Sequence, residues 1–520
     1  MRKKLIITIM LLILTGCSQE KQENDITHLD WFVNFSWFSA PWGENNVTKE
    51  ITDKTDVNIS FSVPAGDEDE TINNILNSDR LPDLITLGWW QPQVNTLIEN
   101  DLVYSLNELA DKYSPEFYDY ANKDTIFWYT QDDGNLYCYP SASVPPETYK
   151  NGAVTPSNAV FVVRKDLYEA LGCPDMTTPE GFANTLRLAK EKFPEVNGYP
   201  LIPIGVDEFN NYGGGSFNER LRDLLAIPHE KNGYAWDYTT DPEYITWLKT
   251  FRELVNDGTI SADLFLDKRQ QVSEKLLRGQ YFCLLYQWSD LENEQIKLFH
   301  NNPDSSYIAV DAIRNSNGDN PTLSGVGING WTVTFISKDC ENPEKAIELM
   351  TYLMSEQGQK LTLLGIENKD YTVENNKIKI NEENKELLKN NPSEYIAKIG
   401  GNNTYWFFEN DIIQSEFNIE PDESLKQMQN LALNYTVDVS PYEIVFPLNS
   451  EYAIINDKIK TLWGETLPRL LMAETENEFD ILLNDYIKKR DELGFDILQQ
   501  EKTRLYQINK SKLEELKNEK

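Results

Sequence analysis

The sequence has few of the residues on which most enzymes and metal sites depend. Its 520 residues include three histidines, His28, His229 and His300, which leaves little material for histidine-ligated metals or histidine general bases. Its five cysteines form no C-x-x-C pair, so zinc ribbons and thioredoxin-type redox motifs are excluded. No H-E-x-x-H, P-loop or kinase signature occurs either. We therefore expect no cofactor, no metal and no enzymatic activity.

Basic residues are also scarce. The chain has 48 lysines and arginines against 84 aspartates and glutamates, a net charge of -36. Such a surface repels phosphate backbones and anionic head groups, so nucleic acid is not an expected partner. The 40% hydrophobic and 25% charged residues are typical of a soluble globular protein, which excludes disorder over most of the chain. The length corresponds to about two to four domains.

The first residues have the pattern of a secretion signal. Three basic residues follow Met1, and residues 5–14 form an apolar run that is too short to span a membrane as a mature helix. The next residues, Thr15-Gly16-Cys17, complete a stretch that resembles the bacterial lipobox, which implies cleavage after residue 16 and lipidation of Cys17. An ordinary cleaved signal with a chance cysteine is the alternative. Residues 17–27 are polar and without periodicity, which predicts a tether.

The four cysteines beyond the tether do not predict a disulfide framework. Cys138, Cys173, Cys283 and Cys340 are spread over some 200 residues and allow three pairings, among which the sequence cannot choose. We interpret them as small buried hydrophobic residues.

Strand and helix patterns alternate after the tether. Apolar and β-branched runs at 29–38, 57–63 and 81–88 predict strands, and 49–56 and 72–78 predict helices between them. This order is typical of βαβ units and of a mostly parallel sheet. Further along, Thr178-Pro179-Glu180 has the capping residue, the proline and the acid that begin a helix.

A set of phrases in fixed order resembles one protein family. They are LPDLI (81–85), DGNLYCYP (133–140), VVRKDLYEALG (162–172), TPEGF (178–182) and NPEKAIELMTYLMSEQG (342–358). With the lipobox, they are similar to the extracellular solute-binding protein family 1 of bacterial ABC importers, in its oligosaccharide-binding lipoprotein branch from Gram-positive bacteria.

The resemblance implies an α/β, two-lobed, type II periplasmic-binding-protein-like fold with discontinuous lobes and a hinge. The N-lobe would comprise 28–140 and about 325–375, and the C-lobe 141–324 and about 376–520. The implied function is to capture an oligosaccharide and deliver it to the permease subunits of an ABC transporter. The protein would be a monomer, held by its lipid anchor at the outer face of the cytoplasmic membrane.

One stretch departs from the family. Relatives that bind acidic oligosaccharides carry a calcium loop after the helix that here begins at Thr178. The corresponding residues 193–200 retain only Glu195 and Asn197 as oxygen ligands, where a calcium loop needs several carboxylates. We predict no calcium there, and a neutral ligand rather than a uronate-rich one.

Tryptophans are the strongest candidates for ligand contacts. Several of the twelve follow predicted strands or lie in loops, and flat sugar faces pack on aromatic rings. In open α/β sheets the ligand lies at the carboxyl ends of the strands. The predicted ligand-binding residues are Asn34, Trp37, Trp42, Trp89, Trp90, Trp288, Asp290, Trp331 and Trp406. The family's arrangement would place Trp37, Trp42, Trp89 and Trp90 in the first lobe, Trp288 and Trp406 in the second, and Trp331 near the hinge.

Other patterns favour structural roles. Trp247 and Trp463 fall within helical periodicity and are interpreted as core. Arg164, at a strand end, is interpreted as a structural ion-pair residue. Residues 325–330 match G-x-G-x-x-G, but a strand follows where nucleotide binding needs a helix, so we interpret them as a flexible crossing between lobes.

Two alternative functions remain open from the sequence. The same fold could bind peptides or another small nutrient. The protein could also be a secreted glycan-acting hydrolase or lyase, because acidic residues are abundant enough to supply a catalytic pair.

Overall fold

The computed structural model describes residues 26–147, 156–374, 377–401, 406–417 and 422–518. The predicted signal peptide, Cys17 and nearly all of the tether lie outside these residues. Within the described ranges, no helix is both long and apolar enough to cross a membrane.

Nine strands form the two main sheets. They are β1 (Thr27–Val33), β2 (Val57–Ser62), β3 (Leu84–Gly88), β4 (Cys138–Pro140), β5 (Ala159–Arg164), β6 (Ile202–Val206), β7 (Tyr281–Gln287), β8 (Tyr307–Ala309) and β9 (Thr332–Ile336). The first sheet has the order β2-β1-β3-β9-β4 and the second the order β8-β5-β7-β6. Each sheet is the centre of one lobe, as expected.

Both sheets are mixed. In the first, β1 is parallel to β2 and β3, whereas β9 is antiparallel to β3 and β4. Four of the five strands therefore run in the same direction, in line with the expected mostly parallel sheet, and only β9 is reversed. The reversal arises because β9 enters from the second lobe and so runs in the opposite direction. In the second sheet, β7 is parallel to β6 and antiparallel to β5.

Helices cover the sheets. Those on the first lobe are Asn46–Thr55, Glu68–Leu76, Gln93–Glu99, Leu106–Tyr113, Phe117–Tyr120, Lys123–Tyr129, Pro343–Met354, Glu356–Leu364, Pro392–Lys398 and Asp411–Ser415. Those on the second lobe are Lys165–Ala170, Pro179–Lys192, Gly215–Leu224, Pro242–Asn256, Arg269–Leu277, Trp288–Asn301, Glu423–Leu433, Glu451–Leu471, Glu476–Glu492 and Phe495–Asn518. The helix Glu382–Asn390 contacts both Pro392–Lys398 of the first lobe and Trp288–Asn301 of the second. Thr178 caps the helix Pro179–Lys192 by accepting the Gly181 N–H at 3.1 Å, as its sequence predicts.

Each lobe has its own apolar core. Trp31 lies at the centre of the first, with ring centroids 4.8 Å from Phe407 and 6.0 Å from Phe408. These two phenylalanines are buried in the first lobe. The first lobe therefore includes residues well beyond the boundary that we expected near residue 375. Trp247 and Trp463 are buried in the second core, as predicted.

The cysteines within the described residues are all unpaired. Cys138, Cys283 and Cys340 are buried, as predicted, whereas Cys173 is exposed. The prediction fails at Cys173 because this residue lies in a turn after the helix Lys165–Ala170, with a φ of 53°.

Candidate functional site

The first lobe gathers tryptophans at one edge of its sheet. Thr332 of β9 pairs with Gly88 of β3, so the start of β9 lies beside the end of β3. Trp331 precedes Thr332, and the Trp89 backbone N–H donates to its carbonyl oxygen at 3.3 Å. The carboxyl end of β1 is at the same edge, because β1 and β3 are parallel. This is the edge at which the sequence predicts ligand contacts.

Four rings at this edge form what we call the aromatic platform: Phe35, Trp37, Trp90 and Trp331. Trp37 and Trp331 are near-parallel, with an interplanar angle of 4° and ring centroids 6.1 Å apart. The Phe35 ring lies 5.6 Å from Trp37, 6.4 Å from Trp90 and 6.0 Å from Trp331. Trp37 is 53% exposed and Trp90 44%. Exposed rings of this size, held by one another, provide flat apolar faces for a ligand.

The remaining first-lobe tryptophans have structural contacts. Trp89 meets Trp90 edge to face at 6.0 Å and packs against the first-lobe core. The Trp42 indole N–H donates to Thr52 Oγ1 at 3.2 Å, and its ring contacts Phe61. Trp406 begins a single helical turn that continues into Phe407 and Phe408, in the first lobe rather than the expected second. Its side chain lies outside the described residues.

Asn34, which follows β1, is completely buried. Its backbone N–H donates to the Thr86 carbonyl at 3.0 Å. Its side-chain oxygen and nitrogen have no hydrogen-bond partner among the described residues. Burying an unpaired amide costs about 1 to 3 kcal/mol for each group, so the fold tolerates an unfavourable residue directly before Phe35 of the platform.

The second lobe presents charged residues where β6 and β7 end. Arg269 lies between two aspartates, with Nη2 3.2 Å from Asp207 Oδ2 and Nη1 3.0 Å from Asp290 Oδ2. Arg220 Nη2 donates to Gln287 Oε1 at 3.0 Å. We call these five residues the polar edge. Because β6 and β7 are parallel, their carboxyl ends meet there.

The charges of the polar edge balance, since two arginines face two aspartates. Burial raises the pKa of Asp290, and the negative charge of nearby Asp207 raises it further. The positive charges of Arg269 and Arg220 lower this pKa and so offset part of the rise. The hydroxyl of Tyr286, the residue before Gln287, is buried without a hydrogen-bond partner among the described residues. The edge therefore combines fixed donors and acceptors with unsatisfied polar groups, which suits a ligand rich in hydroxyls.

The sequence identified only Asp290 of this edge. Asp207 directly follows β6, and that position at a strand end was the available signal. Arg220 and Arg269 lie on helices whose sequences carry no distinguishing motif, so only the packing of those helices against the strand ends brings them together. Trp288 follows β7 as predicted, but its indole N–H donates to the Ser157 carbonyl at 3.1 Å and its ring packs against the second-lobe core.

Two further expectations concern residues outside the site. Arg164 forms a two-point ion pair with Asp166, at 3.0 Å for each contact, which confirms its structural interpretation. The stretch aligned with the calcium loop is a tight hairpin, Glu195–Val196 paired with Tyr199–Pro200. Over the described ranges, no cluster of three or more His, Cys, Asp or Glu side chains could hold a metal ion.

Two α/β lobes, with an aromatic platform on one sheet edge and a polar edge on the other, define a two-lobed solute-binding protein. Comparison with known proteins identifies its family. The model for bacterial extracellular solute-binding proteins matches residues 33–360. The chain belongs to this family, which places it outside the cytoplasm, at or beyond the cell surface. No curated protein matches the sequence.

Solved structures share the fold at low sequence identity. The alginate-binding protein AlgQ2 without calcium is 17% identical with a TM-score of 0.68, covering 93% of this chain and 98% of its own. The Streptococcus pneumoniae substrate-binding protein FusA in complex with kestose is 17% identical, with a TM-score of 0.72 and coverage of 93% and 100%. The N-glycan transport solute-binding protein NgtS from S. pneumoniae is 15% identical, with a TM-score of 0.61 and coverage of 95% and 100%.

Proposed function

We propose that the protein is the lipid-anchored substrate-binding component of an ABC importer. It captures a neutral oligosaccharide between its lobes and delivers it to the permease without changing any bond. The near-parallel pair of Trp37 and Trp331 carries this proposal. The exposed Trp37 ring and the partly exposed Trp331 ring, at the carboxyl edge of a sheet, offer the surface that the C–H faces of sugar rings cover.

The polar edge supplies the second half of the proposed site. Closure of the lobes requires a ligand that contacts the closed state better than the open one. The platform would hold sugar faces, and Asp207, Gln287 and Asp290 would accept hydrogen bonds from hydroxyls. Among the structural relatives, AlgQ2 is an alginate-binding protein, FusA was solved in complex with kestose, and NgtS is an N-glycan transport protein, which agrees with a sugar ligand.

Charge favours a neutral sugar. Arg269 is paired with two aspartates, and Arg220, which donates to Gln287, also interacts electrostatically with Asp290. The two positive charges of the polar edge are thus balanced by two negative ones, and an anionic ligand would approach a protein with a net charge of -36. A neutral polyol could bind without breaking these ion pairs and without adding charge to the site.

The ligand class can be tested with the soluble form that begins after Cys17. Intrinsic tryptophan fluorescence would be titrated with kestose, N-glycan fragments, alginate fragments, amino acids and short peptides. We expect a saturable change at micromolar concentrations of a neutral oligosaccharide. A response to peptides alone would overturn the sugar proposal, and a response to alginate fragments alone would overturn the neutral-ligand proposal. Chromatography after prolonged incubation should recover the sugar unchanged, because the proposal includes no turnover.

The lipid anchor rests on the sequence of residues 14–17 and needs a separate test. Mass spectrometry of the protein from bacterial membranes should find an acylated N-terminal Cys17. The variant Cys17→Ala should be released into the medium. Recovery of an unmodified N-terminus beyond residue 17 would show that the signal is an ordinary one.

A further inference from the structure

Asn329 is the centre of a hydrogen-bond junction beside the aromatic platform. Its side-chain oxygen accepts the Trp128 indole N–H at 2.6 Å, and its side-chain nitrogen donates to Glu443 Oε2 at 3.0 Å. Its backbone carbonyl accepts the Tyr129 hydroxyl at 2.6 Å. The asparagine is 7% exposed, so these bonds are largely shielded from water.

The partners of Asn329 come from different lobes. Trp128 and Tyr129 end the helix Lys123–Tyr129, which packs on the first lobe. Glu443 belongs to a loop of the second lobe, where the adjacent Tyr442 stacks on His229 at 4.7 Å. The C-terminal helix reinforces the junction: Lys512 Nζ donates to the Trp128 carbonyl at 2.7 Å, and Asn509 donates to the Glu443 carbonyl at 2.9 Å.

The chain around Asn329 has no room to shift. A Cβ on Gly330, whose φ is +69°, would lie 2.1 Å from the Ser141 carbonyl oxygen. A Cβ on Gly327 would lie 2.4 Å from Ser440 Oγ and 2.7 Å from Glu443 Oε2. The expected flexible glycine-rich crossing is instead closely packed. Two residues beyond Asn329, Trp331 emerges into the platform, with its backbone N–H donating to the Ser141 carbonyl at 2.9 Å.

We propose that Asn329 is a positioning residue. By tying Trp128 of the first lobe to Glu443 of the second, it fixes Trp331 parallel to Trp37 and makes this crossing the pivot on which the lobes move. Asn329 acts through Trp331 and does not itself touch the ligand. This inference rests on the proposed function, because it assigns to Trp331 a role in sugar binding.

A double-mutant cycle between Asn329 and Trp331 tests the positioning role. Asn329→Ala should weaken binding of the oligosaccharide identified by fluorescence by about tenfold, the loss expected for one or two buried hydrogen bonds. In a Trp331→Ala background the same substitution should change Kd less than twofold, since the residue that it positions is gone. A purely structural role would lower stability in both backgrounds and weaken binding equally in each, which would overturn the proposal.

Two further variants control the cycle. Trp128→Phe keeps the aromatic packing and removes only the indole donor, so it should reproduce part of the loss seen with Asn329→Ala. Asn484→Ala, at an exposed position on the helix Glu476–Glu492, should leave Kd unchanged. Equal Kd values for Trp128→Phe and the wild type would show that the indole bond does not contribute to positioning, contrary to the proposal.

A ligand-free measurement separates this inference from the proposed function. Amide hydrogen exchange in Asn329→Ala should accelerate at 325–331 and also at 440–443, because the substitution releases both sides of the junction. Unchanged exchange at 440–443 would show that Asn329 does not tie the lobes together. If the wild type bound no oligosaccharide, the proposed function would fail, whereas accelerated exchange at both segments would still support the pivot.

Discussion

Replacing Trp37 with alanine should weaken sugar binding with little cost to the fold. A tryptophan side chain buries roughly 200 Å² when it is covered. Because 53% of Trp37 is exposed, about 100 Å² of its surface is accessible to solvent. At about 25 cal/mol per Å², full coverage would contribute about 2.5 kcal/mol, and coverage of one face about 1 kcal/mol. Trp37→Ala should therefore raise Kd by about 5- to 70-fold.

Isothermal titration calorimetry on the soluble form would measure this change, with urea unfolding as a check on stability. The matched control is Trp236→Ala. Trp236 is partly buried in the second lobe, where its indole N–H donates to Asp241 at 3.0 Å. This control should lower the free energy of unfolding more than Trp37→Ala does, and leave Kd within a factor of two. The reasoning for the platform would be refuted if Trp37→Ala left Kd unchanged. It would also be refuted if Trp236→Ala raised Kd as much as Trp37→Ala does.

Three further predictions concern buried groups. Asn34→Leu should raise the free energy of unfolding by about 1 to 3 kcal/mol, because it removes a buried amide that has no hydrogen-bond partner within the described part of the chain; urea unfolding measures this, and a loss of stability would show that the amide is paired. Glu443 has its pKa raised from 4.5 to about 7 by burial, so its contribution to stability is full below about pH 4.5 and is lost as the pH rises through 7. Glu443→Gln should flatten the fall in stability between about pH 5 and 8 by about 2 to 3 kcal/mol, whereas an unaltered pH profile would contradict the raised pKa. Gly330→Ala should cost about 2 kcal/mol or more, given its φ of +69° and the 2.1 Å approach to Ser141; a thermal midpoint equal to that of the wild type would disprove this.

The first sheet could be predicted where the signal is local. The strands β1, β2 and β3 are short runs of apolar and β-branched residues separated by helices, so their existence and parallel direction follow from the sequence. The position of β9 between β3 and β4 could not be predicted from periodicity, because it depends on the path of the chain through the other lobe. Phe407 and Phe408 were assigned to the wrong lobe for the same reason. They follow the expected boundary near residue 375, but the chain returns to the first lobe, where they pack in the core around Trp31.

Part of the candidate site could be predicted because several of its aromatic residues lie near strand ends. Trp37, Trp90 and Trp331 are next to strand ends, and the structure brings them together. Phe35 of the platform was missed because an apolar residue after an apolar strand looks like ordinary core. Arg220 and Arg269 were missed because their positions depend on helix packing, which has no signature in spacing.

The insertion of β9 between β3 and β4 determines the order in which the lobes can be completed. Thr86 and Thr334, whose hydroxyls are 2.8 Å apart, are separated by 248 positions. The second sheet, by contrast, uses only residues 159–309, so its strands can pair over shorter sequence separations. We expect it to form first, because the first sheet is complete only when β9, which is distant in sequence, has been inserted. A chain that ended before residue 332 would leave β3 and β4 with open edges, which are the surfaces most prone to pair with other chains.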